Sequence, residues 1–179
     1  MKKLSFTIIA MLLLSGTAAM QAQLRHIEGF NAVGLKVGTG FGNTFTAGVS
    51  HNYYWGKHWS VDTNLDFETG HFGKSRYFGL LLSPGIEASV WQPLSWMYIH
   101  LNGHLNVGYD RWYDNELSLS DGSFALGCDL GFNVEMYVSK SVSLLVGARE
   151  HFIWNATPVG SNKSYYFKPL FFAAARYNF

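Results

Sequence analysis

The sequence predicts an all-β chain, a transmembrane antiparallel up-and-down β-barrel of about eight strands. Three observations predict it. Apolar and polar residues alternate with period two over long stretches, not with the 3.6-residue period of a helix. Several stretches run ~10 residues or more, the length of a tilted membrane-crossing strand, whereas strands of ordinary globular domains average ~5–6. Aromatic residues make up 17% of the chain and charged residues only 14%. A soluble domain carries roughly 25% charged residues, so the composition fits a wall that faces hydrocarbon.

The N-terminal segment reads as a secretory signal peptide and is set apart from the fold. Lys2 and Lys3 supply a positive start, Ile8 to Leu14 a short apolar core, and Ser15 to Ala19 the small residues that precede cleavage. Cleavage is expected after Ala22, with Ala19 as the second choice, giving residues 1–22 as signal peptide and 23–179 as one barrel domain. The apolar run is too short to span a bilayer as a helix, and no later segment offers ~20 consecutive apolar residues. Cys128 is the only cysteine. It has no internal disulfide partner and lies far from the cleavage site, so no lipid anchor is expected there. A net charge of +1 gives no electrostatic footprint for nucleic acid, and no direct nucleic-acid binding is expected.

The strands follow in order. Asn31 to Gly38 sets Val33, Leu35 and Val37 against Gly34 and Lys36. Thr44 to Trp55 sets Phe45, Ala47, Val49, Tyr53 and Trp55 against Thr44, Thr46, Ser50 and Asn52, with His51 the odd member of the apolar face. Trp59 to Glu68 alternates Trp59, Val61, Leu65 and Phe67 with Ser60, Asp62, Asn64, Asp66 and Glu68. Tyr77 to Trp91 sets Leu82, Ile86, Ala88 and Val90 against Ser83, Gly85, Glu87 and Ser89, and Pro84 is expected to mark a bulge. Trp96 to Asp110 is the clearest: Met97, Ile99, Leu101, Leu105, Val107 and Tyr109 oppose Tyr98, His100, Asn102, His104 and Asn106. Phe124 to Val138, Val142 to Trp154 and Tyr165 to Phe179 repeat the alternation. Their polar faces carry Asp129 and Glu135, then Arg149 and His151, then Lys168 and Arg176.

Connections alternate as well. Gly56-Lys57, Gln92 to Ser95 and Ser139 to Ser141 read as tight turns. Thr69 to Arg76, Arg111 to Gly122 and Asn155 to Ser164 read as longer loops, with Thr39 to Asn43 a short exception. Short periplasmic turns and longer outer loops are the habit of such barrels, which places both termini in the periplasm. Aromatic residues then ring the apolar face at both ends. The periplasmic belt is expected to hold Tyr53, Trp55, Trp59, Trp91, Tyr137, Tyr177 and Phe179. The outer belt is expected to hold Phe45, Phe67, Tyr77, Tyr109, Phe152, Trp154 and Phe167. A soluble lipocalin-like carrier would instead turn its apolar face inward; two belts on that face favour a membrane slab.

The polar face then lines the lumen. The expected network comprises Lys36, Asp62, Asp66, Glu87, His100, His104, Asp129, Glu135, Arg149, His151 and Arg176, joined by Asn64, Glu68 and Lys168. An eight-stranded barrel is just wide enough for side chains to fill it, so a packed plug is expected and not a pore. Arg149 is its expected centre, because the guanidinium fork suits two carboxylates. Glu150 is expected to face lipid near Trp154, at the interface. His100 and His104 lie four apart on a strand, ~13 Å, too far to share one ion, and no metal or cofactor is expected. Gly38, Gly40 and Gly42 form a turn with no helix behind it, hence no phosphate cradle.

The C-terminal stripe of Phe171, Ala173, Ala175, Tyr177 and Phe179 resembles the signal read by the outer-membrane barrel assembly machinery, and strand addition to an open barrel edge is the expected basis of that step. Outer-membrane lipid and that machinery are therefore the expected partners. His58-Trp59-Ser60 resembles the His-x-Ser element of outer-membrane lipid A deacylases. The pair sits beside a turn placed in the periplasm, however, whereas the deacylase site works on the outer leaflet. From Tyr98 to Trp154 the chain resembles the TraO family of conjugal transfer proteins. The carrying segments are Leu101 to Tyr109 (LNGHLNVGY), Phe132 to Val142 (FNVEMYVSKSV) and, above all, Leu144 to Trp154 (LLVGAREHFIW). Residues 23–29 depart from the Pro-Gly-containing opening associated with that family. The resemblance implies a structural, non-enzymatic outer-membrane component of a conjugative apparatus, with other apparatus proteins as partners. A general small barrel for envelope stability, adhesion or defence is the alternative, with its function in outer loops holding Trp112, Tyr113, Asn115 and Lys163. A lipid hydrolase is a remote third.

Overall fold

The structure, a computed structural model, describes residues 28–40, 43–72, 75–114, 119–155 and 165–179. The segment expected to be a signal peptide, its expected cleavage site, and most of the loop expected from Asn155 to Ser164 lie outside the described residues. Eight strands follow in chain order: β1 (Asn31–Gly40), β2 (Thr44–Tyr54), β3 (Trp59–Phe72), β4 (Ser75–Leu94), β5 (Met97–Asp114), β6 (Leu119–Tyr137), β7 (Val142–Asn155) and β8 (Tyr165–Asn178). Each pairs antiparallel with the next, and β8 pairs with β1 to close the barrel.

The register fixes the barrel's shape. Directly opposed residues run from Leu145 through Ala174, Lys36, Gly48, Asp66, Leu81, Gly108 and Ala125 to Asn155. One circuit thus returns to β7 ten residues from its start. Ten residues at ~3.3 Å against eight strands at ~4.8 Å incline the strands by about 40° to the barrel axis.

Side chains are distributed inside out. Leu35, Leu105 and Leu130, on three different parts of the wall, are 70%, 68% and 73% exposed. The inward positions hold charged and amide side chains that are almost wholly buried. Soluble monomers rarely expose apolar patches beyond a few hundred Å², so a wall this apolar on every strand is built for hydrocarbon. The closed ladder satisfies its own backbone groups, the other requirement for crossing a bilayer.

Four expectations need correction. Thr69–Arg76 and Arg111–Gly122 are mostly strand, not loop. Phe72 opposes Ser75 and Asp114 opposes Leu119, because the cross-strand ladder continues past the membrane-length core. Pro84 makes no bulge. The β4–β5 ladder breaks at Ser83 and Pro84, where proline has no N–H to give, yet Leu82↔Val107 and Gly85↔His104 keep one register. The register shifts fall at Ser89/Trp91 and Trp91/Leu94, and that slip brings Trp91 to the outer face. Tyr77 and Tyr137 belong to no belt. They share strand parity with Leu81 and Glu135 and point inward, while Phe78 takes the outer place against Phe67, with ring centroids 5.0 Å apart. The last turn of the β4–β5 hairpin is Ser95–Trp96, with Gln92 to Leu94 still in β4.

Candidate functional site: the lumenal polar network

The inward side chains arrange themselves in three layers between the end of the barrel with the short turns and the opposite, loop end. At the turn end, Tyr98 and Tyr137 meet edge to face with centroids 5.9 Å apart. Above them Arg176 donates to Tyr54 Oη (3.0 Å), Glu87 Oε1 (3.2 Å) and Glu135 Oε1 (3.4 Å). Glu135 also accepts from Ser143 Oγ at 2.5 Å and lies 3.1 Å from His100 Nε2. Glu87 accepts from Asn133 Nδ2 at 2.8 Å. His100 Nδ1 faces Ser89 Oγ at 3.0 Å.

In the middle layer His104 bridges Asp129 Oδ1 (2.7 Å, through Nδ1) and Asp62 Oδ2 (2.9 Å, through Nε2). Asn64 donates to the same Asp62 oxygen at 3.0 Å. Lys36 donates to Asn64 (3.1 Å) and Asp66 (2.7 Å). Arg149 reaches Asp62 through Nη2 at 3.3 Å and packs its guanidinium 5.3 Å from the Phe172 ring, with Lys36 5.5 Å from the same ring. His151 Nδ1 lies 3.6 Å from Asp129 Oδ2 and 3.3 Å from Asn106 Nδ2.

Toward the loop end Lys168 pairs with Glu68. The Tyr77 hydroxyl stands between Glu68 (3.2 Å) and Asp110 (2.9 Å). Leu81, Ala125 and Ile153 form a small apolar cluster. The network thus reaches beyond the residues singled out from sequence. Asp110 has the right parity on β5, and Tyr77 was masked by its aromatic character. Two-residue alternation would have found both.

All eleven expected network residues face the lumen, and none is more than 4% exposed. A side chain lining a water-wide channel would be wetter than that, so no such channel passes these layers. Arg149 is not the centre: its Nε and Nη1 have no protein partner, and Arg176 is the residue that holds two carboxylates. The reason is local. The Arg149 stem lies over Gly131, where a Cβ would come within 2.6 Å of it, and the fork is turned to Phe172. Gly48 is likewise needed on β2, because a Cβ there would collide with the Asp66 carboxylate that receives Lys36.

Among the described residues seven inward carboxylates (Asp62, Asp66, Glu68, Glu87, Asp110, Asp129 and Glu135) face four lysine or arginine side chains (Lys36, Arg149, Lys168 and Arg176). The three inward histidines each stand beside a carboxylate, where the excess lies. Buried ion pairs are expensive to desolvate, and sharing partners among three layers is what makes them tolerable. Among the described residues no group of three or more His, Cys, Asp or Glu side chains is placed to hold a metal ion.

The remaining singled-out residues are dispersed. Ser60 faces the lumen at 2% exposure and His58 sits in the exposed β2–β3 turn, so the His-x-Ser pair does not share one face. His51 lies on the outer wall with Nε2 3.1 Å from Asn31 Oδ1. Glu150 is exposed on the outer wall, opposed by Leu130 and Pro169. Phe171, Tyr177 and Phe179 all face outward. The Phe179 backbone exchanges hydrogen bonds of 2.9 and 3.0 Å with Asn31, extending the closing β8–β1 seam by one residue.

Fold and lumen together define the class of eight-stranded transmembrane barrels with a packed polar interior. Solved structures of outer-membrane barrels are similar to the chain in fold. The Neisserial surface protein A has TM-score 0.65 and 12% identity, over 84% of this chain and 96% of that one. The N-terminal β-barrel domain of Pseudomonas aeruginosa OprF has TM-score 0.62 and 11% identity, over 85% and 98%. Ail, the attachment invasion locus protein of Yersinia pestis, has TM-score 0.57 and 10% identity, over 86% and 100%. At such identities the likeness is one of fold. No family model and no curated protein matches the chain.

Proposed function

We propose that this chain is a structural, non-enzymatic barrel of the bacterial outer membrane and that it serves a conjugative DNA-transfer apparatus. The observation that carries the structural role is the filled lumen within an apolar wall: eleven network side chains at 4% exposure or less, spent on holding strands together. The outer-membrane location is supported by that wall and by the fold of the similar barrels, and it puts the short turns in the periplasm. The conjugative role rests on the resemblance of Leu144 to Trp154 and its neighbours to the TraO family. The outward stripe Phe171, Tyr177 and Phe179, beside the closing seam, is the segment we assign to the assembly machinery.

Deleting the gene from its mobile element and counting transconjugants tests the proposal. A drop in transfer, restored by the gene in trans, is expected; unchanged transfer overturns it. A second reading is favoured by one observation. β4, β5 and β6 are 20, 18 and 19 residues long against 10 and 11 for β1 and β2, so one side of the wall projects at the loop end. Arg111 stacks there on Tyr113 at 4.7 Å. That projection suits contact with another protein at the cell surface, and an adhesion or envelope phenotype with normal transfer selects this reading.

A further inference from the structure

Most of the outer wall is studded with large side chains, but one oblique strip is shallow. A groove of about 690 Å³ crosses β7, β8, β1, β2 and β3, within the ~300–1,000 Å³ range of small-ligand sites. Its lower bank is a row of directly opposed residues: Val142, Tyr177, Val33, His51 and Thr63. Its upper bank is the next outward row, Ala175, Leu35, Val49 and Leu65. Between the banks the floor is Gly34, Ser50 and Arg176, whose side chains turn inward or are missing.

The register gives this groove a direction. Val142 is the first residue of β7, Tyr177 is one residue from the end of β8, and Val33 is two from the start of β1. His51 is three from the end of β2, and Thr63 is four from the start of β3. The groove therefore starts at the turn-end rim and climbs. Four strand spacings of ~4.8 Å make it ~19 Å long, and the strand tilt converts that into a rise of ~12 Å. A leaflet is about half of a ~30 Å hydrocarbon core, so the groove begins at one membrane surface and stays inside one leaflet.

Its chemistry is graded. The upper reach between Leu35 and Leu65 is apolar. Asn31, the first residue of β1 at the rim, is hydrogen-bonded to His51, ~8 Å up the wall on β2, so a polar pair spans the depth where interfacial groups give way to hydrocarbon. The rim carries both signs of charge: Lys140 in the β6–β7 turn, Lys57 in the β2–β3 turn and Glu28 ahead of β1, all exposed. An apolar channel one leaflet deep, a polar step and a rim of mixed charge match three parts of one molecule.

We propose that this groove holds a single zwitterionic phospholipid of the periplasmic leaflet. One acyl chain lies along the β8–β1–β2 strip, the glycerol esters lie at His51 and Asn31, and an ethanolamine phosphate head group meets Lys140, Lys57 and Glu28. The assignment rests on the membrane orientation proposed above. A lysine-only rim would select an anionic lipid; Glu28 gives the ammonium of ethanolamine a partner.

The test uses the full mature chain refolded in micelles containing equal phosphatidylethanolamine and phosphatidylglycerol, analysed by native mass spectrometry, so its outcome is independent of where the protein resides in the cell. Wild type is expected to retain one phosphatidylethanolamine. Ala175→Phe and Thr63→Phe each fill the groove and are expected to reduce retention at least fivefold. Val107→Phe, on the outward face of β5, leaves it unchanged. Heat-modifiable gel migration checks folding, and either groove variant suffices if the other misfolds. Equal retention by all four proteins means annular lipid only and overturns the proposal. So does a preference for phosphatidylglycerol, or a dimer that the groove variants dissolve, which would make the strip an interface between copies.

Discussion

Arg176→Met is the most informative perturbation of the lumen. Arg176 is 4% exposed and donates to Glu87, Glu135 and the Tyr54 hydroxyl at 3.2, 3.4 and 3.0 Å. The substitution keeps the aliphatic stem and leaves two carboxylates, 1% and 0% exposed, without their shared cation. Breaking a buried pair by removing one partner costs about 3–5 kcal/mol, most of it the stranded charge. Replacing the carboxylates as well removes that charge, so Arg176→Met with Glu87→Gln and Glu135→Gln should regain all but about 1–2 kcal/mol. The contrast is Arg149→Met. Arg149 contributes one 3.3 Å bond to Asp62, which still has His104 and Asn64, so its loss should cost less than half as much. Urea unfolding of the protein refolded into lipid vesicles, followed by tryptophan fluorescence, measures the three variants against wild type. With a slope of ~1–3 kcal/mol per molar, the single Arg176 variant should lower the midpoint by 1 M or more. A loss below about 1 kcal/mol, or an Arg149 variant weaker than the Arg176 variant, refutes the layered network as the source of stability.

Three further outcomes follow from the wall. Leu105→Arg places a cation on the outward face near mid-strand and should cost about 2–4 kcal/mol in the same vesicle assay, whereas a nearly neutral result would mean that face is not in hydrocarbon. Cys128 is exposed, opposite Leu105 and Phe152, so in vesicles a membrane-soluble maleimide should label it and a charged, impermeant one should not; equal labelling contradicts the orientation of β6. Gly48→Val should destabilise the barrel by about 1–3 kcal/mol through overpacking against Asp66, read as a lowered unfolding midpoint, and a neutral variant would show that the Lys36–Asp66 pair has room to move.

Much of this protein is written in a single period. Alternation from Trp96 to Asp110 or Val142 to Trp154 assigns each side chain to one face, because a strand turns successive Cβ atoms to opposite sides. That rule alone sends Asp62, His104, Glu135 and Arg176 to one face and Leu35, Leu105 and Leu130 to the other. Aromatic rings on the apolar side then decide which face meets lipid. The same rule corrects Tyr77 and Tyr137, whose parity with Leu81 and Glu135 outweighs their aromatic character.

What alternation does not contain is the relation between strands. Period two gives the face of Arg176 but not its partners, because Glu87 and Glu135 come from strands 89 and 41 residues away. Those meetings depend on the ten-residue shift accumulated around the closed barrel, a sum over eight pairings that no one strand specifies. The oblique groove from Val142 to Thr63 has the same origin. Which face a residue takes is legible strand by strand, since it is a local property of the backbone. Its height and its neighbours are not, since those are set when the last strand pairs with the first.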